Sequence, residues 1–518
     1  MSGNPLSAAD RASPKYTVPG WGAATIGPCR LPMILLLAAF LAGCAARPPA
    51  LPSLPADEER LNACLAYFEL LDEQIEEEGI RDGVGKPVAD LPWLRSSRFI
   101  AAQAPMLSDR DLLEALRSHD RDVRLLELGN LSAAGRQALI AASDQHDPEA
   151  RMDQCGRNLT NALLQGDGPD RNALHARIAV ADDYISWHRW VGLYPVTRWG
   201  IRAGVGVWQR GTRAEFETEP PATPAPLRYE PVRVPETVTP EAATALLRRA
   251  PRDALERPVL SRLEQDALLA AFAPVVELER DASHNRIGTP VWERPGQPTV
   301  NVSQPRVYGD IAHTRFAGST VTQLHYVFWF TSRPKSNPLD LLGGRLDGMT
   351  LRITLDADGQ PVLLESTHNC GCYHQHYPLQ DLRARQPSNY AEPPLVLDSA
   401  GPPTAARRLT VTLRDRSHYL RRVYLSEAAP AQAGQAQEYL LSDYDELRSL
   451  VAGEGHRSLF ESDGLVTGTA RDERVLFWVS GVPSPGAMRQ LGRHPTAFVG
   501  RRHFDAPDLL DRVFHSRE

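Results

Sequence analysis

The 518-residue sequence has almost no lysine: Lys15, Lys86 and Lys335 are the only ones, and arginine supplies the rest of the positive charge. We read this as genome composition rather than function. Net charge is −7, and residues 1–43, with Arg11, Lys15 and Arg30 against Asp10, are the basic part, so the remainder is more acidic still. That balance excludes a general nucleic-acid binder. Several motifs are missing: G-x-S-x-G, H-E-x-x-H, a Walker loop, a dinucleotide fingerprint and a C-x-x-C-H haem site. No serine-hydrolase, zincin, nucleotide-binding or c-type cytochrome reading therefore has a motif to rest on. Internal repeats are absent too, which excludes solenoids and propellers.

The first feature present is at the N-terminus. Arg30 precedes the apolar run Leu31 to Phe40, too short to span a bilayer but of the length of a signal h-region. Leu41-Ala42-Gly43-Cys44 follows and resembles the lipobox of bacterial lipoproteins. The resemblance implies cleavage before Cys44 and its lipidation, palmitate included. Ala45, rather than Asp, then implies sorting to the outer membrane, facing the periplasm. The alternative is an uncleaved hydrophobic anchor.

Residues 44–55 read as a lipid-to-domain tether, 56–216 as a helical domain, 217–240 as a Pro-rich linker and 241–518 as an α+β domain. Leu61, Cys64, Leu65, Phe68, Leu71 and Ile75 form one helical stripe, ended by Gly79. Ser108 is placed to cap a second helix, and Asp147-Pro148 to open a third carrying Met152, Cys155, Leu159 and Leu163. Cys64 and Cys155 fall on apolar faces. In an oxidising compartment they are natural disulfide partners, the alternative being two buried thiols.

Between Tyr184 and Arg213 stand Trp187, Trp190, Trp199 and Trp208 with Arg189, Arg198, Arg202, Arg210 and Arg213, and no acid. Aromatics with basic side chains suit an anionic lipid surface or an acidic glycan. The competing reading is a tryptophan-rich packing segment with solvated or paired arginines.

After Thr239-Pro240 and a capping box at Ser261 and Glu264, the pattern turns to strands. Leu324, Tyr326, Phe328 and Phe330 share a face opposite His325; Met349, Leu351, Ile353 and Leu355 alternate with Thr350, Arg352 and Thr354. Asp358-Gly359 turns the chain into 361–366. Residues 409–413 and 419–425 read as another hairpin. Ser442 reads as a helix cap, 475–479 as a strand, and Ser484-Pro485-Gly486 as a short helix start. With that start, Arg489, Arg493, His494, Arg501, Arg502 and His503 are candidates for holding an anion, or else a solvated surface.

The densest chemistry is His368-Asn369-Cys370-Gly371-Cys372-Tyr373-His374-Gln375-His376, with three of the 15 histidines and two of the six cysteines. In an extended strand the five at even positions share a face. Bent at Gly371, some of His368, Cys370, Cys372, His374 and His376 would converge on a zinc or copper ion. A Cys370–Cys372 disulfide or unlinked thiols are the other readings. The expectation is an α+β, lipid-anchored envelope protein that binds metal or a partner. The competing class is a metal-dependent hydrolase, with His325, Asp347 or Glu365 as ligand or general base.

Overall fold

Short side-chain acceptors start the helices as expected. Ser108 accepts from the Asp111 amide, Asp147 from Glu149 and Ala150, and Ser261 with Glu264 completes both halves of a capping box. The computed structural model describes residues 58–515 apart from 144–146, 166–169, 219–225, 233–237, 386–390, 400 and 429–435. The signal segment, Cys44 and the tether thus lie outside the described residues.

Helices α1 (Glu58–Glu77), α2 (Asp109–Asn130) and α3 (Pro148–Leu163) close a core of Leu61, Phe68, Leu71, Leu112, Leu116 and Leu159. Within it Cys64 and Cys155 form the expected disulfide across 91 residues. Beside the core, Arg95, Arg124, Asp120 and Glu127 make a fully buried ion-pair network. Two more helices, α4 (Ser186–Val191) and α5 (Tyr194–Glu217), follow.

The class is α+β. Eleven strands form one sheet: β1 (Leu227–Pro231), β2 (Val275–Leu278), β3 (Arg306–Phe316), β4 (Ser319–Arg333), β5 (Gly344–Leu355), β6 (Pro361–His368), β7 (Gln375–Pro378), β8 (Leu395–Val396), β9 (Arg407–Leu413), β10 (Leu420–Glu427) and β11 (Gln437–Asp443). Their spatial order is β8-β7-β6-β5-β4-β3-β11-β1-β2-β9-β10. Strands β3 to β7 are a continuous antiparallel meander.

The even residues of β4 and the odd residues of β5 face the main apolar core, as their alternation predicts. The opposite face is buried as well, under residues 483–514. Phe504 lies on Arg352, while Leu509, Leu510, Val513 and Phe514 pack on Val321 and Leu363.

Four local expectations are corrected. Leu227–Pro231, inside the stretch read as linker, is a strand, and the described residues form one compact unit. Arg98 reaches Asp505 and Arg448 reaches Asp82 across that boundary. Ser442 lies within a strand, and Asp443 at its end caps a short 3-10 helix instead. The 475–479 run is helical, because a short apolar run does not by itself choose between strand and helix. Ser484 to Gly486 forms a turn rather than a helix. Gly486 has φ +79°, and an added Cβ would meet Glu473 Oε1.

Candidate metal centre

The hairpin β6–β7 sets the geometry. Its register places Glu365 opposite His376 and Ser366 opposite Gln375. Between them the chain folds back: Gly371 N donates to His368 O at 2.7 Å and His368 N to Cys372 O at 3.0 Å. Gly371 has φ +89°, and a Cβ there would lie 2.5 Å from Pro495 O, so both conformation and contact require glycine.

This tight turn separates the five even-numbered residues that an extended strand would align. His374 and His376 join Glu365, while His368 turns toward Asp347, 3.9 Å away. Cys370 packs with Trp329, Leu346 and Met488. Cys370 and Cys372 are free thiols, not bridged to each other. The cysteines therefore do not form the centre of the site, and Gly371 bends the chain away from a five-residue cluster.

One ligand atom each from Glu365, His374 and His376 lie within 4.8 Å of one another, an arrangement that could hold a metal ion. Glu365 Oε1 is 3.0 Å from His374 Nε2 and 3.5 Å from His376 Nε2. Two ligands of one tetrahedral zinc, bound at about 2.0–2.2 Å, stand roughly 3.3–3.6 Å apart. All three side chains are fully buried.

The proton arrangement leaves a gap. His376 Nδ1 lies 3.3 Å from the Leu395 carbonyl, which only accepts, so the ring proton sits on Nδ1. Nε2 is then a lone pair facing another acceptor, and it has no hydrogen-bond partner. Burial holds His376 well below the usual imidazole range and His374 down to about 4, so neither ring supplies the missing cation. For Glu365 burial works upward, but Arg352 and His374 hold the carboxyl well below its usual range.

Glu365 also belongs to a polar row across the sheet. Directly paired positions run Asp310–His325–Arg352–Glu365–His376 across β3 to β7. His325 Nδ1 meets Asp310 at 2.9 Å, and Arg352 grips both oxygens of Glu365 at 2.7 Å. Arg352 had no role in the sequence reading. A partial signal was there: Arg352 and Glu365 each stand six positions from the Asp358-Gly359 turn, and the register pairs them after a bulge between Pro361 and Leu363.

The three residues considered as general bases divide. His325 belongs to the row and Glu365 to the ligand set. Asp347 sits apart, 2.6 Å from His418 Nδ1, with His368 and Arg471 nearby. Around it lie Tyr373, Tyr419, Arg333 and Glu473. Burial raises the Glu473 carboxyl to about 7, although Arg333 and Arg471 draw it down. A carboxyl so raised keeps a proton that the unfolded chain has released. Stability therefore falls as pH rises from about 4.3 toward the folded value and is level above it. Glu473→Gln should remove this slope: its melting temperature should gain on the wild type between pH 5 and 8, roughly the window of that shift. Parallel melting curves would refute the assignment.

The expected anion site is not assembled. Arg489 donates to the Pro483 and Ser484 carbonyls, Arg493 to Asp183, Arg501 to Asp182 and Arg502 to Glu392; His494 meets Asn369 O and His503 lies near Asp182 and Asp183. These side chains fasten the C-terminal segment over the sheet.

The chain matches no protein-family model, no curated protein and no solved structure.

Proposed function

We propose a lipid-anchored protein of the bacterial cell envelope that binds one zinc ion through Glu365, His374 and His376 in a binding or structural role. The observation that carries the metal reading is His376 Nε2, buried without a hydrogen-bond partner 3.5 Å from the Glu365 carboxylate. A cation shared with His374 completes that geometry. Two imidazoles and a carboxylate suit zinc, and without the thiolates the case for copper(I) lapses. The lipid anchor rests on Leu41-Ala42-Gly43-Cys44.

Binding is favoured over hydrolysis by access. The three ligands are fully buried, and Arg352 occupies one edge of the carboxylate. A cavity of about 640 Å³ is lined by residues such as Leu269, Asp310 and Asp443 and by none of the three ligands.

Metal analysis of purified protein, with zinc titrated calorimetrically into chelator-treated protein, tests the reading. About one zinc per chain is expected, lost in His376→Ala while the far-ultraviolet spectrum stays unchanged. Folded wild type that takes up no zinc would rule the site out.

A further inference from the structure

The segment between Tyr184 and Arg213 follows the packing arrangement only in part, at Trp208. Three of its five arginines reach inward, and three of its four tryptophans face outward. Arg189 donates to the Ser480 and Gly500 carbonyls, Arg202 to Ala391 O and Arg213 to Val396 O. Trp208 and Phe216 join this inner side against Tyr373 and Tyr377. Outside, Trp187 is 62 % exposed, Trp190 83 % and Trp199 54 %, with Leu193, Val196 and Val207 more than half exposed. No residue of α4 or α5 is buried.

The outward positions of α5 follow a helical period: Val196, Trp199, Gly200, Ala203, Gly204, Val207 and Gly211. A Cβ added at Gly200, Gly204 or Gly211 would meet nothing within 4 Å. Packing within the chain does not ask for these glycines, and each weakens the helix relative to alanine. A neighbouring turn enlarges the patch. Trp478 packs on His188 of α4, and Val475 and Leu476 beside it are 70 % and 57 % exposed.

We propose that α4 and the first turns of α5 lie flat in the headgroup region of an anionic bilayer. The wish to bury exposed indoles beside aliphatic side chains is met at that depth, where an amphipathic helix rests in the interface plane. Charge agrees: no acidic residue falls between Tyr184 and Ala214, and Arg210 is exposed at the edge. A second copy is a poorer occupant. The 6 residues of α4 and 24 of α5 give about 45 Å of helix, and a strip about 10 Å wide offers roughly 450 Å², well under the ~800 Å² per partner of a stable interface. A glycan is poorer too, since between Val196 and Val207 the outward stripe offers only the indole N–H for hydrogen bonding.

The proposal takes from the lipid-anchored reading only the reason a bilayer is near, so the test omits the lipid. The chain from Ala45 onward, which contains the whole compact unit, is mixed with vesicles of equimolar phosphatidylcholine and phosphatidylglycerol, or of phosphatidylcholine alone. Co-sedimentation with the anionic vesicles is expected, weakened by salt and reduced about tenfold or more in the variant W187S/W190S/W199S. Gly204→Leu separates the bilayer from helix pairing. It adds apolar surface at an open position, so vesicle binding should hold or rise. Failure of the wild type to sediment, equal binding by the triple variant, or loss of binding in Gly204→Leu would each overturn the proposal. Palmitate labelling of the full chain and of Cys44→Ser reports on the anchor separately, since a failed anchor leaves the vesicle result standing.

Discussion

Arg352→Ala is expected to cost about 3–5 kcal/mol of folding stability, read from the urea midpoint. The reason is positional. Strand register puts Arg352 directly opposite Glu365, with both side chains almost wholly buried. The guanidinium also donates to the Phe504 carbonyl and lies under the Phe504 ring, 3.6 Å from its centroid. Truncation leaves a carboxylate between two neutral imidazoles and removes the contact that seats the C-terminal segment on the sheet. Replacing both partners, in Arg352→Met/Glu365→Leu, should recover much of the loss because no charge is then stranded. Zinc sharpens the test. Saturating zinc should restore part of the stability of Arg352→Ala, since an ion at Glu365 supplies the missing positive charge. A midpoint for Arg352→Ala close to wild type would show that the row across β3 to β7 carries little of the fold.

What the sequence revealed of this region was its alternation and its turns. Leu324 to Phe330 and Met349 to Leu355 showed which face joins the apolar core, and Asp358-Gly359 marked the hairpin that aligns Arg352 with Glu365. Helix starts at Ser108, Asp147 and Ser261 were legible because capping is a local matter. The burial of the second sheet face was not legible. It depends on residues 483–514 returning over β3 to β7, a contact across more than a hundred positions with no local signature. The metal candidates were half legible for the same reason. Their types pointed to 368–376, but the turn around Gly371, which splits the histidines from the cysteines, is fixed partly by the distant Pro495 carbonyl. In α5 the helical period was visible, yet nothing local told that Arg202 and Arg213 would reach for the protein and Trp199 face away from it.

Glu127→Ala is the second large expected effect, about 3–5 kcal/mol. Glu127 accepts from both terminal nitrogens of Arg95 at 2.8 Å, and Arg95 is completely buried. Asp120 also lies near Arg95, at 3.2 Å, but it is already held by Arg124. Removing Glu127 therefore strands a guanidinium that cannot give up its proton. The effect reaches further than this network. Glu127 Oε1 also accepts the backbone amide of Asp82, whose carboxylate holds Arg448 and Gln490 of the α+β part. Loss of Glu127 thus loosens the seam between the helices and the sheet while it weakens the helical core. If residues 58–215 and the sheet fold as one cooperative unit, the variant should unfold in a single transition at lower denaturant, with fluorescence and circular dichroism coincident. An independent helical domain would instead split off, giving an early transition of the helices and an unchanged later one for the sheet. The seam of Asp82, Arg448, Arg98 and Asp505 argues for the single transition.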